Sequence, residues 1–587
     1  MSRQTATAGA GPGRAAAAGA VRGAGAGWVT RLAVPGSPAL QGLLALAAYL
    51  AVWLTTDALP LILHPGRPQL DQGSPDPNFY VWSLRWWPYA IAHGLNPLYS
   101  HLVGPPAGMD LAWVTTIPPL ALLVSPVTLM TSPVVSFTLL VAASIPVSGW
   151  AAFVLCRRLT QRFWPALAAG AVYGFSAYEL NHIIAGQLNL AFSLLLPLMA
   201  YLAVLWRDER ISSRAFIGLL AVTMALQFYL FLETFADMTA VWVLALAIGY
   251  ALGGRAGRRV VARLSLLAGA AYAIAIVLAA PYLAYALTHV PSGFARSTLP
   301  SSLDLAGLVV PRAGQTFGLA WLARFAAPLL PPGRDGYIGI PLLAVAVALA
   351  VVSWRSRVTR FLVVMAGLLI ITALGPVVQL DGHQLTRVPW AGLWSLPVVR
   401  SAYPARLMIF VFLALAVMVA LWLAGPSRMP WARWLLALAA LAAIGVNTPA
   451  LQVQPGPGLP AFISTGEYRR YLAPGETVVV ASQRGNAGLL WQAETGFYPR
   501  LAGGFLNIAI TATSLPVPVA GVARRRPTRN EILRFRLFVR QARIGAILVD
   551  ASSPWRWPVI LRKAGLRGQA IGGVILYRTV AWRGGAR

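Results

Sequence analysis

Hydrophobic stretches of about 20 residues, the length needed to cross a bilayer core of about 30 Å, follow one another from residue 37 to residue 450. The gaps between them alternate in charge. One set is basic: Arg157, Arg158 and Arg162; Arg207, Arg210 and Arg214; Arg255, Arg258, Arg259 and Arg263; Arg355, Arg357 and Arg360; Arg428 and Arg433. The other set holds most of the acids and all six histidines. An excess of Lys and Arg in short loops marks the cytoplasmic side of a membrane protein. The alternation therefore gives a polytopic helical chain and places its ionisable chemistry on the outer face. A soluble fold is excluded on the same grounds, because 58% of the 587 residues are hydrophobic and only 11% are charged.

Spans are expected near 38–62, 133–156, 164–184, 187–206, 215–235, 236–254, 264–288, 337–354, 361–380, 404–424 and 432–450. Eleven crossings from an inner N-terminus leave the C-terminus outside. The N-terminal tail and the basic gaps carry 19 arginines against Asp208 and Glu209, whereas the outer loops carry 9 arginines against 10 acids. Residues 1–36, rich in Ala and Gly and without an apolar core, read as a disordered cytoplasmic tail with no cleaved signal peptide. Residues 37–450 form the membrane region, interrupted by two long outer loops, 63–132 and 289–336. Loops of that length are usually functional.

The first loop contains the stretch Phe79-Tyr80-Val81-Trp82-Ser83-Leu84-Arg85-Trp86-Trp87, whose aromatic content suits a helix lying in the membrane interface. The proline-broken piece 114–130 reads as a shallow or re-entrant helix. Segment 451–587 changes character: β-rich runs such as Thr477–Val480, Ile544–Val549 and Gly573–Tyr577 flank an Arg-rich helical stretch at 529–543. It reads as a small α/β domain outside the membrane, with 19 Lys and Arg against 5 acids. A solvated face is the default reading of that charge, and a grip on an anionic glycan or lipid surface the functional one. The lone cysteine, Cys156, excludes a disulfide framework and a Cys-based metal site.

Asp76, in Ser74-Pro75-Asp76-Pro77-Asn78-Phe79, stands just ahead of the aromatic stretch. A carboxylate at that boundary is placed to take a proton from a hydroxyl as a general base. The same spacing also serves a plain helix start, since Asp followed by Pro is a favoured N-terminus.

The chain resembles the GT-C superfamily, integral-membrane glycosyltransferases that use polyprenyl-phosphate sugars. The matching text is Asp76-Pro77…Trp82…Trp86 with His93-Gly94-Leu95-Asn96-Pro97, then Tyr173-Gly174-Phe175-Ser176-Ala177-Tyr178 leading to His182. Gly336-Tyr337-Ile338-Gly339-Ile340 and Leu396-Pro397-Val398-Val399-Arg400…Pro404-Ala405-Arg406 follow. Within the superfamily the chain most resembles YfhO-like and actinobacterial members. The resemblance covers about residues 37–425 and says nothing of the sugar. It implies a GT-C-type helical membrane fold in which a first-loop Asp acts as base or orients the acceptor, a role that carries over onto Asp76, with Asp71 as the fallback. Many members have a second acid directly after that Asp. Here the position is Pro77, which tells against a two-acid or metal-bridging version. The absence of a Trp-Trp-Asp motif tells against transfer of whole oligosaccharides to asparagine.

Glu233 and Asp237, one turn apart near an outer span end, suit hydrogen bonds to sugar hydroxyls or a share in a divalent cation site (Mg or Mn); the alternative is an exposed turn. His182 and Gln187 flank an outer turn and are candidate substrate contacts, although a histidine there is more often a cap. Arg400 and Arg406, with Tyr403 between them, suit a departing lipid phosphate, because guanidinium forks bind phosphate bidentately and do not deprotonate. Snorkelling to lipid headgroups is the competing use of those arginines. Arg296 and Arg312 are weaker versions of the same idea. No nucleotide-binding loop is present, which disfavours a soluble nucleotide-sugar donor and gives no sign of nucleic acid as a partner.

The expected function is transfer of a monosaccharide from a polyprenyl-phosphate donor to a glycan, lipid or protein acceptor of the cell envelope. Transfer would take place on the outer face of a bacterial cytoplasmic membrane, with inversion at the anomeric carbon. The alternative is a non-enzymatic transporter or flippase of lipid-linked glycans, which would need polar groups along a route through the spans. A scaffold that recruits wall polymers through its basic outer domain is a third reading.

Overall fold

The computed structural model describes residues 36–67, 76–105, 107–290, 302–310, 336–392, 403–444, 458–482, 486–502, 529–552 and 556–580. The tail up to residue 35, Asp71, Arg296, Arg312 and Arg400 lie outside the described residues.

The chain is mostly helical. Among the described residues, seven helices are long and apolar enough to cross a membrane: α1 (Pro38–Leu63), α5 (Pro133–Thr160), α8 (Leu188–Arg207), α9 (Ser213–Leu230), α10 (Leu232–Leu252), α11 (Arg255–Thr288) and α14 (Pro404–Ala424). The other four expected spans fall on shorter helices: α6 (Phe163–Gly174), α12 (Ile340–Ser353), α13 (Arg357–Ala373) and α15 (Pro430–Ile444). The first long loop supplies α2 (Asp76–Ala92), a short antiparallel pair β1 (Tyr99–Ser100) and β2 (Met109–Asp110), α3 (Pro118–Leu123) and α4 (Ser125–Met130).

Three departures from the expected spans have local causes. Span 164–184 breaks after Gly174, and Ser176 caps a separate helix, α7 (Ala177–Ile184), by accepting a hydrogen bond from the Glu179 amide. α8 is interrupted at residues 192–194, because the ring of Pro197 is incompatible with a helical carbonyl four residues earlier. α13 stops at Gly375, which has a left-handed φ of 70°, and Pro376 follows. The last residues of that expected span form strand β3 (Val377–Leu380), paired antiparallel with β4 (His383–Arg387). The tip of this hairpin, Asp381-Gly382, has φ of 53° and 76°, the backbone that Asp-Gly hairpin turns favour. The buried Asp304 carboxylate accepts from the amides of both tip residues, at 3.0 and 2.8 Å.

Helices α5 and α6 meet along small residues. A Cβ on Gly174 would lie 2.8 Å from Gly149 Cα, and one on Gly170 would lie 2.6 Å from the Gly149 carbonyl oxygen and strike the Tyr49 hydroxyl. Close backbone approach of this kind is how helices gain van der Waals contact where lipid offers no hydrophobic drive. Gly170→Ala is expected to destabilise the protein by about 1–3 kcal/mol through overpacking. Thermal unfolding of the detergent-solubilised protein reads this directly; an unchanged midpoint would mean that the seam is slack.

The aromatic helix α2 departs from the interfacial placement expected for it. Phe79, Tyr80, Trp82, Trp86 and Trp87 are all buried, and the protein itself covers them. The partner is the C-terminal segment. Phe497 packs its ring against Trp82, Trp86 and Tyr89 at centroid distances of 5.8, 5.7 and 4.6 Å. Trp82 Nε1 donates to Gln492 Oε1 at 2.8 Å, and Gln492 Nε2 donates to the carbonyls of Leu102 and Pro499. Aromatic density on one face is equally suited to headgroups or to a protein groove, and here Phe497 fills the groove. Phe497→Ala is expected to cost about 3–5 kcal/mol. It should also open the contact between α2 and the C-terminal segment to limited proteolysis; an unaltered cleavage pattern would contradict that coupling.

The C-terminal segment folds around a five-stranded sheet of order β6-β5-β7-β9-β8. Its strands are β5 (Thr477–Ala481), β6 (Arg500–Leu501), β7 (Ala546–Asp550), β8 (Gly568–Ile571) and β9 (Val574–Arg578). β5 runs parallel to both β6 and β7, whereas β9 runs antiparallel to β7 and to β8. Because side chains alternate across a strand, the sheet buries two faces. Val478, Leu548 and Leu576 join the same apolar core as the membrane helices and α2, together with α16 (Ala487–Glu494). Val479, Ile547 and Val549 face a second core made with α17 (Arg529–Gln541) and α18 (Trp557–Lys563). Leu501 extends the pairing into the first long loop: its amide donates to the Leu102 carbonyl at 2.8 Å and its carbonyl accepts from the Gly104 amide at 3.0 Å.

Candidate active site

Asp76 occupies the first turn of α2 and is half-buried. Its Oδ2 accepts a hydrogen bond of 2.8 Å from Gln187 Nε2. Gln187 stands beyond the end of α7, where Gly186, at φ 69°, turns the chain toward α8. The Gln187 amide oxygen lies 2.6 Å from His182 Nδ1, in the last turn of α7. With the amide N–H directed at Asp76, the amide oxygen can only accept, so His182 carries its proton on Nδ1 and leaves Nε2 as an acceptor. One helical turn beyond Asp76, the buried Tyr80 hydroxyl donates to Asn189 Oδ1 at 2.5 Å. Burial raises the Tyr80 phenol well above its ordinary value, and the Asp76 charge adds to the rise while Arg406 opposes it. It therefore remains a hydrogen-bond donor.

A second group comes from three later elements. Phe231 alone, in extended conformation, separates α9 from α10, and this places Glu233 in the first turn of α10. A helix N-terminus favours an acid there. Glu233 pairs with Arg406 through Oε2 and accepts from the Tyr403 backbone amide at 3.0 Å through Oε1. The Arg406 guanidinium lies over the rings of Tyr403 and Phe231, at 4.4 and 5.1 Å from their centroids. Arg406 and Glu233 are each only 17% exposed, so the pair is held away from bulk water. Asp237, the next acid along α10, lies within electrostatic range of both partners.

The two groups lie within electrostatic range of each other. Arg406 lies within electrostatic range of Tyr80, Tyr178 and His182, and Tyr178 packs its ring edge against His182 at 4.3 Å. Of the residues singled out from the sequence, Asp76, His182, Gln187, Glu233, Asp237, Tyr403 and Arg406 thus come together. The turn alternative for Glu233 and Asp237 is not what the fold provides, since both are half-buried beside Arg406. Asp71 and Arg400 lie outside the described residues. Among the described residues no three His, Cys, Asp or Glu side chains are set to hold a metal ion.

Sequence reasoning passed over several polar residues here. Tyr80 read only as part of an aromatic run, Tyr178 only as text of the resemblance, and Asn189 carries no motif. Glu179, also on α7, is fully buried and accepts from the Ser193 hydroxyl, while its Oε2 has no hydrogen-bond partner. Asp57 is buried in a π-helical turn of α1 (Leu54–Ala58), again with one oxygen unpartnered. An acid inside an apolar span was the available signal for Asp57.

Residues 44–445 match the family described as a domain of unknown function (DUF6311). No curated protein matches the chain by sequence. Solved structures share its fold at low identity. The arabinofuranosyltransferase AftD from Mycobacteria superposes with a TM-score of 0.55 at 15% identity, over 92% of this chain and 40% of that one. The chain thus spans about two fifths of AftD. The oligosaccharyltransferase of Archaeoglobus fulgidus in its apo form gives 0.53 at 12% identity, over 92% of this chain and 74% of that one. ArnT from Cupriavidus metallidurans, bound to undecaprenyl phosphate, gives 0.52 at 12% identity, over 93% and 99% of the two chains. The chain therefore belongs to the DUF6311 family and has the GT-C membrane glycosyltransferase fold.

Proposed function

We propose that the protein transfers a monosaccharide from a polyprenyl-phosphate donor to an acceptor of the cell envelope, on the outer face of a bacterial cytoplasmic membrane. One observation carries the reading: a half-buried carboxylate, held by Gln187, which is in turn held by His182, shares the surroundings of Tyr80 with a water-shielded arginine that stacks on two rings. Asp76 takes the proton of the acceptor hydroxyl as that oxygen bonds to the anomeric carbon. The bond from that carbon to the phosphate oxygen breaks, and the leaving lipid phosphate keeps the electron pair. Arg406 and the Tyr80 hydroxyl stabilise charge on that side of the site. Tyr403, His182, Gln187 and Asp237 line the donor sugar and orient its hydroxyls. Attack by an acceptor opposite the leaving phosphate inverts the anomeric centre. ArnT, a structure of the same fold, binds undecaprenyl phosphate, which supports a lipid-phosphate donor here.

A divalent cation between Glu233 and Asp237 would stand beside Arg406, whose charge Glu233 already meets. The donor set fits a cation poorly, and no step is derived through one. The test is label transfer by the purified protein from polyprenyl-phosphate monosaccharides to envelope glycans, with release of the lipid phosphate. Movement of the lipid across proteoliposomes without sugar transfer would instead establish the flippase alternative.

A further inference from the structure

A cleft of about 70 Å³ lies beside the first turns of α2 and is lined by Pro77, Asn78 and Val81 rather than Asp76. Arg67, Asn78, Trp491, Pro460, Phe137 and Asp550 are among the residues around it. Its position in the sheet is informative. From β5 the chain passes through α16 to β6 on one side, and it later returns to β7 on the other side of β5. The parallel strands β5 and β7 therefore flank a point where strand order reverses. In α/β sheets, ligands bind outside the carboxyl ends of the strands at such a point. Asp550 is the last residue of β7, and Ser482 directly follows β5.

The side chains there are fixed. Asp550 is 2% exposed. Its Oδ2 accepts from the Ser482 hydroxyl at 3.0 Å, and its Oδ1 accepts from the Ser552 amide and hydroxyl at 3.0 and 2.5 Å. Opposite, Arg67 extends along the backbone of Gly458, close enough that a Cβ there would lie 3.3 Å from Arg67 Nε. Asn78 adds an amide from α2, and Trp491 adds an indole wall that is itself anchored in the main core. A carboxylate, a guanidinium, an amide and an aromatic wall are what recognise a sugar ring, whose edges carry hydroxyls and whose faces are apolar. The residues around the cleft include one acid, Asp550, and one base, Arg67, so its lining carries no net charge and the chemistry selects a neutral sugar. The volume admits the edge of a single ring, which implies weak binding and a site for one residue of a larger glycan.

We propose that this cleft is a subsite for a neutral sugar residue of the acceptor, one that steadies the glycan while a neighbouring hydroxyl reaches Asp76 around the first turn of α2. A helix is about 10 Å across with its side chains, a distance that two or three sugar residues span. This inference rests on the glycosyltransferase reading, and its test separates the two.

The full-length protein in nanodiscs is titrated with neutral disaccharides and tetrasaccharides (gluco-, galacto- and arabino-configured), with a glucuronic acid disaccharide as the anionic control, and binding is read by saturation-transfer NMR. At least one neutral oligosaccharide should bind in the millimolar range and the anionic control should not. Asp550→Asn should weaken that binding about ten-fold, in line with loss of a charged hydrogen bond, and Arg67→Ala about three-fold or more. Arg67 is exposed, so its variant guards against a folding defect in Asp550→Asn. No neutral sugar binding at 50 mM or below, or binding indifferent to both variants, overturns the subsite. Sugar binding that follows these variants in a protein with no transfer activity would keep the subsite and refute the glycosyltransferase reading. Transfer whose acceptor KM is unmoved by both variants would do the reverse.

Discussion

Asp76→Asn protein should fold as the parent does and transfer sugar about 10²–10⁴ times more slowly, the range attributable to a positioned general base. The substitution separates the two uses of this residue. Asparagine starts a helix as well as aspartate does, and its carbonyl oxygen can still accept the hydrogen bond from Gln187 Nε2 that the carboxylate accepts at 2.8 Å. It cannot take a proton. If Asp76 does no more than begin α2, both stability and turnover stay where they were, and the proposed mechanism fails. Steady-state rates with saturating donor and acceptor, set beside a melting curve for the same preparation, decide the matter. Gln187→Ala should lie between the two, because the carboxylate keeps its basicity and loses its support; its acceptor KM and its turnover should both worsen.

Arg406→Gln is the second large effect, and it has two components. The variant leaves Glu233 shielded from water without its cation, and breaking such a pair costs about 3–5 kcal/mol. It also removes the charge proposed to meet the leaving phosphate, a loss of about 10²–10³ in turnover by analogy with removing one oxyanion donor. The double variant Glu233→Gln with Arg406→Gln separates the components. Two amides of similar shape can replace the ion pair, so most of the stability should return while turnover stays low. If turnover recovers together with stability, Arg406 only packs the site. Arg406→Lys should not rescue activity fully, because an ammonium has neither the planar fork nor the stacking on Tyr403 and Phe231.

Much of the helical layout was legible in one dimension. Each expected span falls on a helix, because a run of apolar residues is costly in water wherever it occurs and the cost is read residue by residue. The breaks were less legible. The interruption of α8 ahead of Pro197 and the hairpin after Gly375-Pro376 both had their signal in proline and glycine, yet the surrounding hydropathy masked it. α2 was misplaced at the lipid surface, since its aromatic face does not itself say whether lipid or Phe497 will cover it.

The candidate site divides the same way. Asp76 could be named from the sequence because it stands just ahead of the aromatic stretch, where the family resemblance also falls; Glu233 because an acid near a span end carries a desolvation cost that has to be met; and Arg406 because a guanidinium fork suits phosphate. Tyr80 and Asn189 could not, since tyrosines and asparagines announce themselves only through their partners; Glu179 carried the signal of an acid inside an apolar span, and it was passed over.

The sequence by itself determined which stretches become helices and how charge is distributed between their two kinds of connection, because both follow from the local free energy of moving side chains between water and lipid. Only the tertiary structure decided that Asp76 meets Gln187 across 111 residues and that Glu233 meets Arg406 across 173. Those meetings depend on how helices pack, on seams such as Gly149 against Gly170 and Gly174, and packing is a property of pairs of surfaces that no single stretch of chain contains.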